Sequence, residues 1–174
     1  MSALGEFRRQ LDSDITWRKF RKQIQNLWQP AFDTQLDELR TLHGSRRTRT
    51  LNTGFPTGRK VIEATAQDMA VRSRCVEIAM AGVVVKNGMQ VALSTVQKYL
   101  EAKYYDFMKN LGYSGVNDRK SLVAALLNPF QAKYDRVNTL ITIADMVIED
   151  CDKAGYGIKA INDALAVATR RENA

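Results

Sequence analysis

Apolar residues in this chain recur mainly at helical spacing. Trp17, Phe20, Ile24 and Leu27 fall at i, i+3, i+7 and i+10, with Arg18, Lys19, Arg21 and Lys22 on the other side. This is one amphipathic helix, from about Asp12 to Trp28, ended by Pro30. Phe32, Leu36, Leu39 and Leu42 mark a second, short helix with Gly44 as its stop. Residues 44–59 have no usable period. They are rich in Gly, Thr, Ser and Arg, contain Phe55-Pro56, and read as an exposed loop. Loops of this length inside a compact domain tend to be functional or disordered.

Helical spacing returns from Arg59 to Val85. Ile62, Met69, Val76, Met80 and Val83 are expected on its buried side, flanked by Arg72 and Arg74. Asn87-Gly88 then sits among β-branched residues. This fits either a small hairpin over 83–93 or a helix–Asn-Gly–helix corner, and the helical period on both sides favours the corner. The next helix spans about Gln90 to Leu111, with Val96, Leu100, Phe107 and Leu111 as its stripe and Gly112 as its stop. Asp118 caps a short helix through Leu127. Asn128-Pro129 reads as the cap and first-turn proline of a long helix to about Lys153. Phe130, Tyr134, Val137, Ile141, Ile148 and Cys151 mark the buried side of that helix. Gly155-Tyr156-Gly157 ends it, and Ile158, Ile161, Leu165 and Ala168 form a last amphipathic helix. The expectation is an all-α, single-domain helical bundle over residues 1–174, with six or seven helices and an extended basic loop. There is no internal repeat and no heptad run long enough for a coiled coil.

Charge changes this picture more than composition does. Between Glu38 and Glu63 the chain carries no acid and six cations: Arg40, Arg46, Arg47, Arg49, Arg59 and Lys60. The whole protein has a net charge of +7, so this segment holds most of the excess. Residues 1–75 contain 14 Lys and Arg against 8 Asp and Glu, and 11 of those cations are Arg. Arginine forks phosphate oxygens and stacks on bases, so the bias points to a polyanion and to nucleic acid above others. Cys75 and Cys151 form no framework and read as buried small hydrophobes in a reducing compartment. The N-terminus has no apolar stretch of signal-peptide length. The most apolar run, Ile78 to Val85, is far short of a membrane span. No membrane association is expected, and the location is expected to be cytoplasmic or within a particle assembled in the cell.

Candidate chemistry is sparse. His43 is the only histidine, and zinc-type spacing does not occur. It reads as a cap on helix carbonyls or as part of the basic loop. Asp145, Glu149 and Asp152 share a helix face, with Asp150 beside them, and fit a solvated acidic face better than a cation site. Gly54 to Lys60 has three residues between its glycines, and Arg59 and Val61 flank the lysine. A P-loop needs four residues there, and Ser or Thr after the lysine. Thr57 and Gly58, opening the next helix, fit at most one phosphate. Neither a nucleophile–base pair nor a cofactor motif is visible, so no enzyme, metal or cofactor is expected.

These readings lead to a non-catalytic protein that binds nucleic acid through phosphates, largely independently of sequence. RNA or single strands are slightly favoured. The expected contacts are Arg46, Arg47, Arg49, Arg59 and Lys60, with hydroxyls from Thr48 and Thr57. Phe55 is placed either to stack on a base or to pin the loop to the core. Arg18, Lys22, Arg72 and Arg74 extend the track. Self-assembly is expected through the acidic face of Asp145, Glu149 and Asp152 meeting the basic half of another copy, with apolar support from Ile158, Ile161 and Leu165. Such a layout is similar to that of coat subunits in rod-shaped RNA viruses, in layout only, since no motif matches residue by residue. Two alternatives stand beside it. One is an assembly or adaptor protein whose basic loop meets an acidic protein surface. The other is a DNA-binding regulator with a helix-turn-helix between Asn117 and Tyr134.

Overall fold

The computed structural model describes residues 2–28, 31–47 and 57–172, with the side chains of 161 and 164–172 excepted. The chain is all-α, without a strand among the described residues. The helices are α1 (Ala3–Asp12), α2 (Ile15–Leu27), α3 (Ala31–Gly44), α4 (Gly58–Lys103), α5 (Tyr105–Asn110) and α6 (Val116–Glu172). They form two compact units. One takes Met1–Phe32 and Gly82–Thr139, the other Asp33–Ala81 and Leu140–Ala174. Each unit is assembled from separated stretches of chain.

In the first unit, Ser2 caps α1, and Phe7 and Leu11 bury one side of it. Helix α1 lies N-terminal to the helix that periodicity marks. Its two fully buried positions, Phe7 and Leu11, lie one helical turn apart. Asp14 then caps α2 by accepting a hydrogen bond from the Trp17 N–H at 2.9 Å. Trp17 and Phe20 are buried as expected, and both meet the Phe130 ring edge to face at 5.7 and 5.0 Å. Gly112 stops α5 at φ +93°, where glycine avoids the Cβ penalty, and the Tyr113 N–H closes the end on the Met108 carbonyl at 3.0 Å.

Three expected breaks are instead helix. No hairpin or corner forms at 83–93: α4 runs through Asn87-Gly88. Val85, Met89, Ala92 and Val96 are buried at helical spacing across that point, and this packing overrides the local turn signal. A Cβ on Gly88 would lie 3.0 Å from Leu27 Cδ2, so the glycine permits close helix approach rather than a turn. Asn128-Pro129 does not start a helix either, because α6 passes through it. Pro129 forfeits one backbone bond, a cost of about 3 kcal/mol that burial of Leu126, Leu127 and Val137 around it offsets. Gly155-Tyr156-Gly157 likewise lies within α6.

The second unit corrects the facing of α4. Ile62, Met69 and Met80 are 71, 68 and 66% exposed, and Val83, in the first unit, is exposed too. The buried side carries Ala64, Asp68, Val71, Cys75, Ile78 and Ala79. Apolar residues line both sides of this helix, so spacing alone cannot say which turns inward. By length and composition α4 is also apolar enough to cross a membrane. An 18-residue window averages a hydropathy of 1.3, and 39% of that window is buried in the protein. The eight-residue run from Ile78 to Val85 understates this because few charges interrupt the neighbouring positions.

Candidate nucleic-acid interface

The basic segment begins where α3 ends. The first arginine beyond α3 departs from expectation. Arg46 is only 3% exposed, not part of a solvated loop. Its guanidinium donates from Nε and NH2 to the two carboxylate oxygens of Asp68, at 3.0 and 2.7 Å, and NH2 also donates to the Asp150 carbonyl at 3.0 Å. The hydrogen bond to Asp68 raises the Arg46 pKa still further. A second arginine follows on the outside. The Arg47 N–H donates to Gln67 Oε1 at 3.2 Å, and Gln67 returns a bond to the Ser45 carbonyl, so the chain is tied to α4 at this point.

The segment resumes with Thr57, Gly58, Arg59 and Lys60, all exposed at the start of α4, where the helix opens as expected. Arg59 Nε lies 2.9 Å from Glu63, and Arg47 NH1 3.7 Å from the same carboxylate. Such exposed pairs are individually weak. Thr48, Arg49 and Phe55 lie outside the described residues.

The other expected cations separate into two groups. Arg72 is bound to Asp152 at 2.7 Å, and Arg74 to Glu38 at 2.7 Å and Glu77 at 3.0 Å. Both have their pKa raised by these hydrogen bonds, to Asp152 for Arg72 and first to Glu38 for Arg74. Their charge is thus balanced within the second unit. Helix α2, in the first unit, is different. Arg18, Lys19, Arg21 and Lys22 are all exposed, and the helix has no acid. Trp17, Phe20 and Ile24 hold its opposite face in the core, which fixes the four cations outward. Arg18 NH2 donates to the Ser13 carbonyl at 3.3 Å, closing the end of α1. Arg8 and Arg9 on α1 are exposed as well. Sequence reasoning passed over them because it did not place α1, although Phe7 and Leu11 at i, i+4 were a usable signal.

The acidic face of α6 is partly engaged within its own unit. Asp152 holds Arg72, Glu149 holds Lys153 at 2.8 Å, and Asp145 is exposed. His43, expected to cap carbonyls or join the loop, points its Nε2 at Asp150 Oδ2, 2.9 Å away. Ile158 is half-buried beside a cavity of about 360 Å³ that Met69, Arg72 and Tyr156 also line. The side chains of Ile161 and Leu165 lie outside the described residues.

In the first unit the buried Asp14 carboxylate accepts from Tyr104 at 2.6 Å, Tyr99 at 2.7 Å and Lys103 at 2.9 Å. Burial alone would raise its pKa. The hydrogen bonds from Tyr104, Lys103, the Trp17 N–H and Tyr99 outweigh burial and hold the carboxyl well below the usual carboxylate range. Burial, with the Asp14 bond second, pushes the Tyr104 hydroxyl up to about 12. Lys103 Nζ also donates to the Tyr99 hydroxyl at 2.7 Å. The arrangement fastens the α1–α2 turn to the end of α4.

The chain matches no family model, no curated protein and no solved structure.

Proposed function

We propose that this protein binds nucleic acid without catalysis, through phosphate contacts that are largely independent of sequence. The observation that carries the proposal is the outer face of α2: four exposed cations on a helix without an acid, held outward by a buried aromatic face. Arg47, Arg59 and Lys60, exposed on either side of residues 48–56, support it. Arg46 is left out of the contact set because burial and Asp68 occupy its guanidinium. Arg72 and Arg74 are secondary, their charge being met by Asp152, Glu38 and Glu77. Cations on a rigid helix suit a regularly spaced phosphate chain, and the arginine-rich stretch of the sequence suits flexible single strands. Asn117 to Tyr134 lies inside α6 with no turn, so this stretch lends no helix-turn-helix to the regulator alternative.

Fluorescence anisotropy with labelled single-stranded RNA and DNA of unrelated sequences, titrated at several salt concentrations, tests this reading. All sequences should bind with similar affinity. Changing Arg18, Lys19, Arg21 and Lys22 to Gln should weaken every complex and flatten the salt slope by about three units. No binding at low salt, or an unchanged slope in the variant, overturns it.

A further inference from the structure

The exposed apolar side of α4 in the second unit has a repeat of its own. Ile62, Ala66, Met69, Ser73, Val76 and Met80 follow one another at alternating steps of four and three residues. All are exposed except Val76, which is half-buried. The same turns of helix bury Ala64, Asp68, Val71, Cys75 and Ile78 on the opposite side, so the stripe is not the core face of its own unit. Six positions over about 28 Å of helix form the a/d seam of a short coiled coil. The run is under three heptads, too short to stand out in a sequence, and it becomes informative only once its exposure is known.

We propose that this stripe pairs with the same stripe of a second copy, the two α4 helices parallel and in register. The charges beside it select that partner and direction. With Ala66, Ser73 and Met80 at a, Arg72 occupies a g position and Glu77 the following e position. In a parallel, in-register pair each g side chain faces the partner's e five residues on, so the dimer gains two Arg72–Glu77 pairs. Both residues are exposed and can share these partners with Asp152 and Arg74 of their own chain. An antiparallel pairing through the middle of the stripe sets the two Arg72 side chains on one edge, like charge against like. The seam itself pairs identical residues, apolar at five of the six positions and Ser73 at the other, the arrangement a twofold homodimer requires.

The full chain, treated with nuclease so that the measurement is independent of nucleic-acid binding, is examined by sedimentation equilibrium. Twice the chain mass of 19.6 kDa is expected at micromolar concentration. Met69→Glu should shift the protein to monomer with its helix content intact, since the side chain is exposed. Glu77→Lys should weaken the dimer several-fold. For direction, Ala66→Cys alone and Met80→Cys alone should each give a disulfide-linked dimer under mild oxidation. The wild type should not, because Cys75 and Cys151 are buried. A monomer at every concentration overturns the proposal, as does a dimer that Met69→Glu leaves unchanged. Cross-linking of Ala66→Cys only when it is mixed with Val76→Cys, which the antiparallel pairing sets opposite it, overturns the parallel alignment. Flotation of monomeric wild type with phosphatidylcholine vesicles, lost in Met69→Glu, assigns the stripe to a lipid surface instead and also overturns it.

Discussion

Arg46 and Asp68 are joined by two hydrogen bonds across 22 positions of sequence, and both side chains are buried. The pair takes the first of the expected phosphate contacts out of the solvent and uses it to lock the end of α3 onto α4. A buried pair of this kind is costly to break from one side, because the remaining charge stays buried and unpaired.

Asp68→Ala should therefore lower stability by about 3–5 kcal/mol. Arg46→Ala should destabilise the protein by a similar order. In either variant the slope of nucleic-acid affinity against salt should stay that of the wild type at temperatures where the protein is folded. Chemical denaturation followed by circular dichroism, together with the anisotropy titration, checks both statements. A stable Arg46→Ala with a flattened slope would place this arginine in the interface after all.

The Asp14 cluster predicts a dependence on acid. Its carboxyl ionises more readily in the folded chain than in the unfolded one, where the value is near the ordinary 3.9. The stabilisation is complete above that unfolded value and is lost as pH falls below it toward the lower folded value. Asn caps helices about as well as Asp, so Asp14→Asn removes the charge and retains most of the cap. The variant should be less stable than wild type at pH 7, with the gap narrowing steadily below about pH 4. Denaturation curves between pH 7 and pH 2 report it, and a gap that does not depend on pH would remove the ionised carboxylate from the account.

Burial pushes the Cys75 thiol up to about 11 and raises that of Cys151 as well. Neither should form appreciable thiolate near pH 8. An aromatic disulfide reagent should label both only at the rate of unfolding, and both at once in denaturant. Rapid labelling of the native protein at either thiol would show a local opening of α4 or α6.

Glycines separate helix from turn. Gly155 has open space around its Cα and sits within α6, so Gly155→Ala should raise stability by up to about 1 kcal/mol. Gly112 sits at φ +93°, and Gly112→Ala should cost about 1–2 kcal/mol. Thermal unfolding of the two variants should move in opposite directions. A loss at Gly155 would mean that the helix breaks there, as its sequence alone suggests.

The helical character of this protein was legible because Trp17, Phe20 and Ile24, or Val137, Ile141 and Cys151, repeat at a period only a helix satisfies. Its breaks were less legible. Asn87-Gly88 and Asn128-Pro129 carry turn chemistry, yet residues far away in sequence, such as Leu27 against Gly88, decide what those dipeptides do. The facing of α4 was hidden for another reason. Ile62 and Met69 are as apolar as Val71 and Ile78, and no local rule separates a core stripe from an exposed one. Arg46 was misplaced because Asp68, which withdraws it from solvent, is nowhere near it in the chain. The cations of α2 were legible because the aromatic stripe opposite them fixed the facing of that helix.

The two long helices have a consequence for how the molecule comes into being. Residues 33–81 of the second unit interrupt the first, and the first cannot be completed until Thr139 has left the ribosome. The second in turn waits for residues 140–174. Synthesis therefore delivers the α2 cation face inside a finished unit while Arg46 and Asp68 still await the stretch of α6 that supplies Asp150. A chain cut after Thr139 keeps every residue of the first unit and leaves the second incomplete, whereas a truncation anywhere in α4 should disable both.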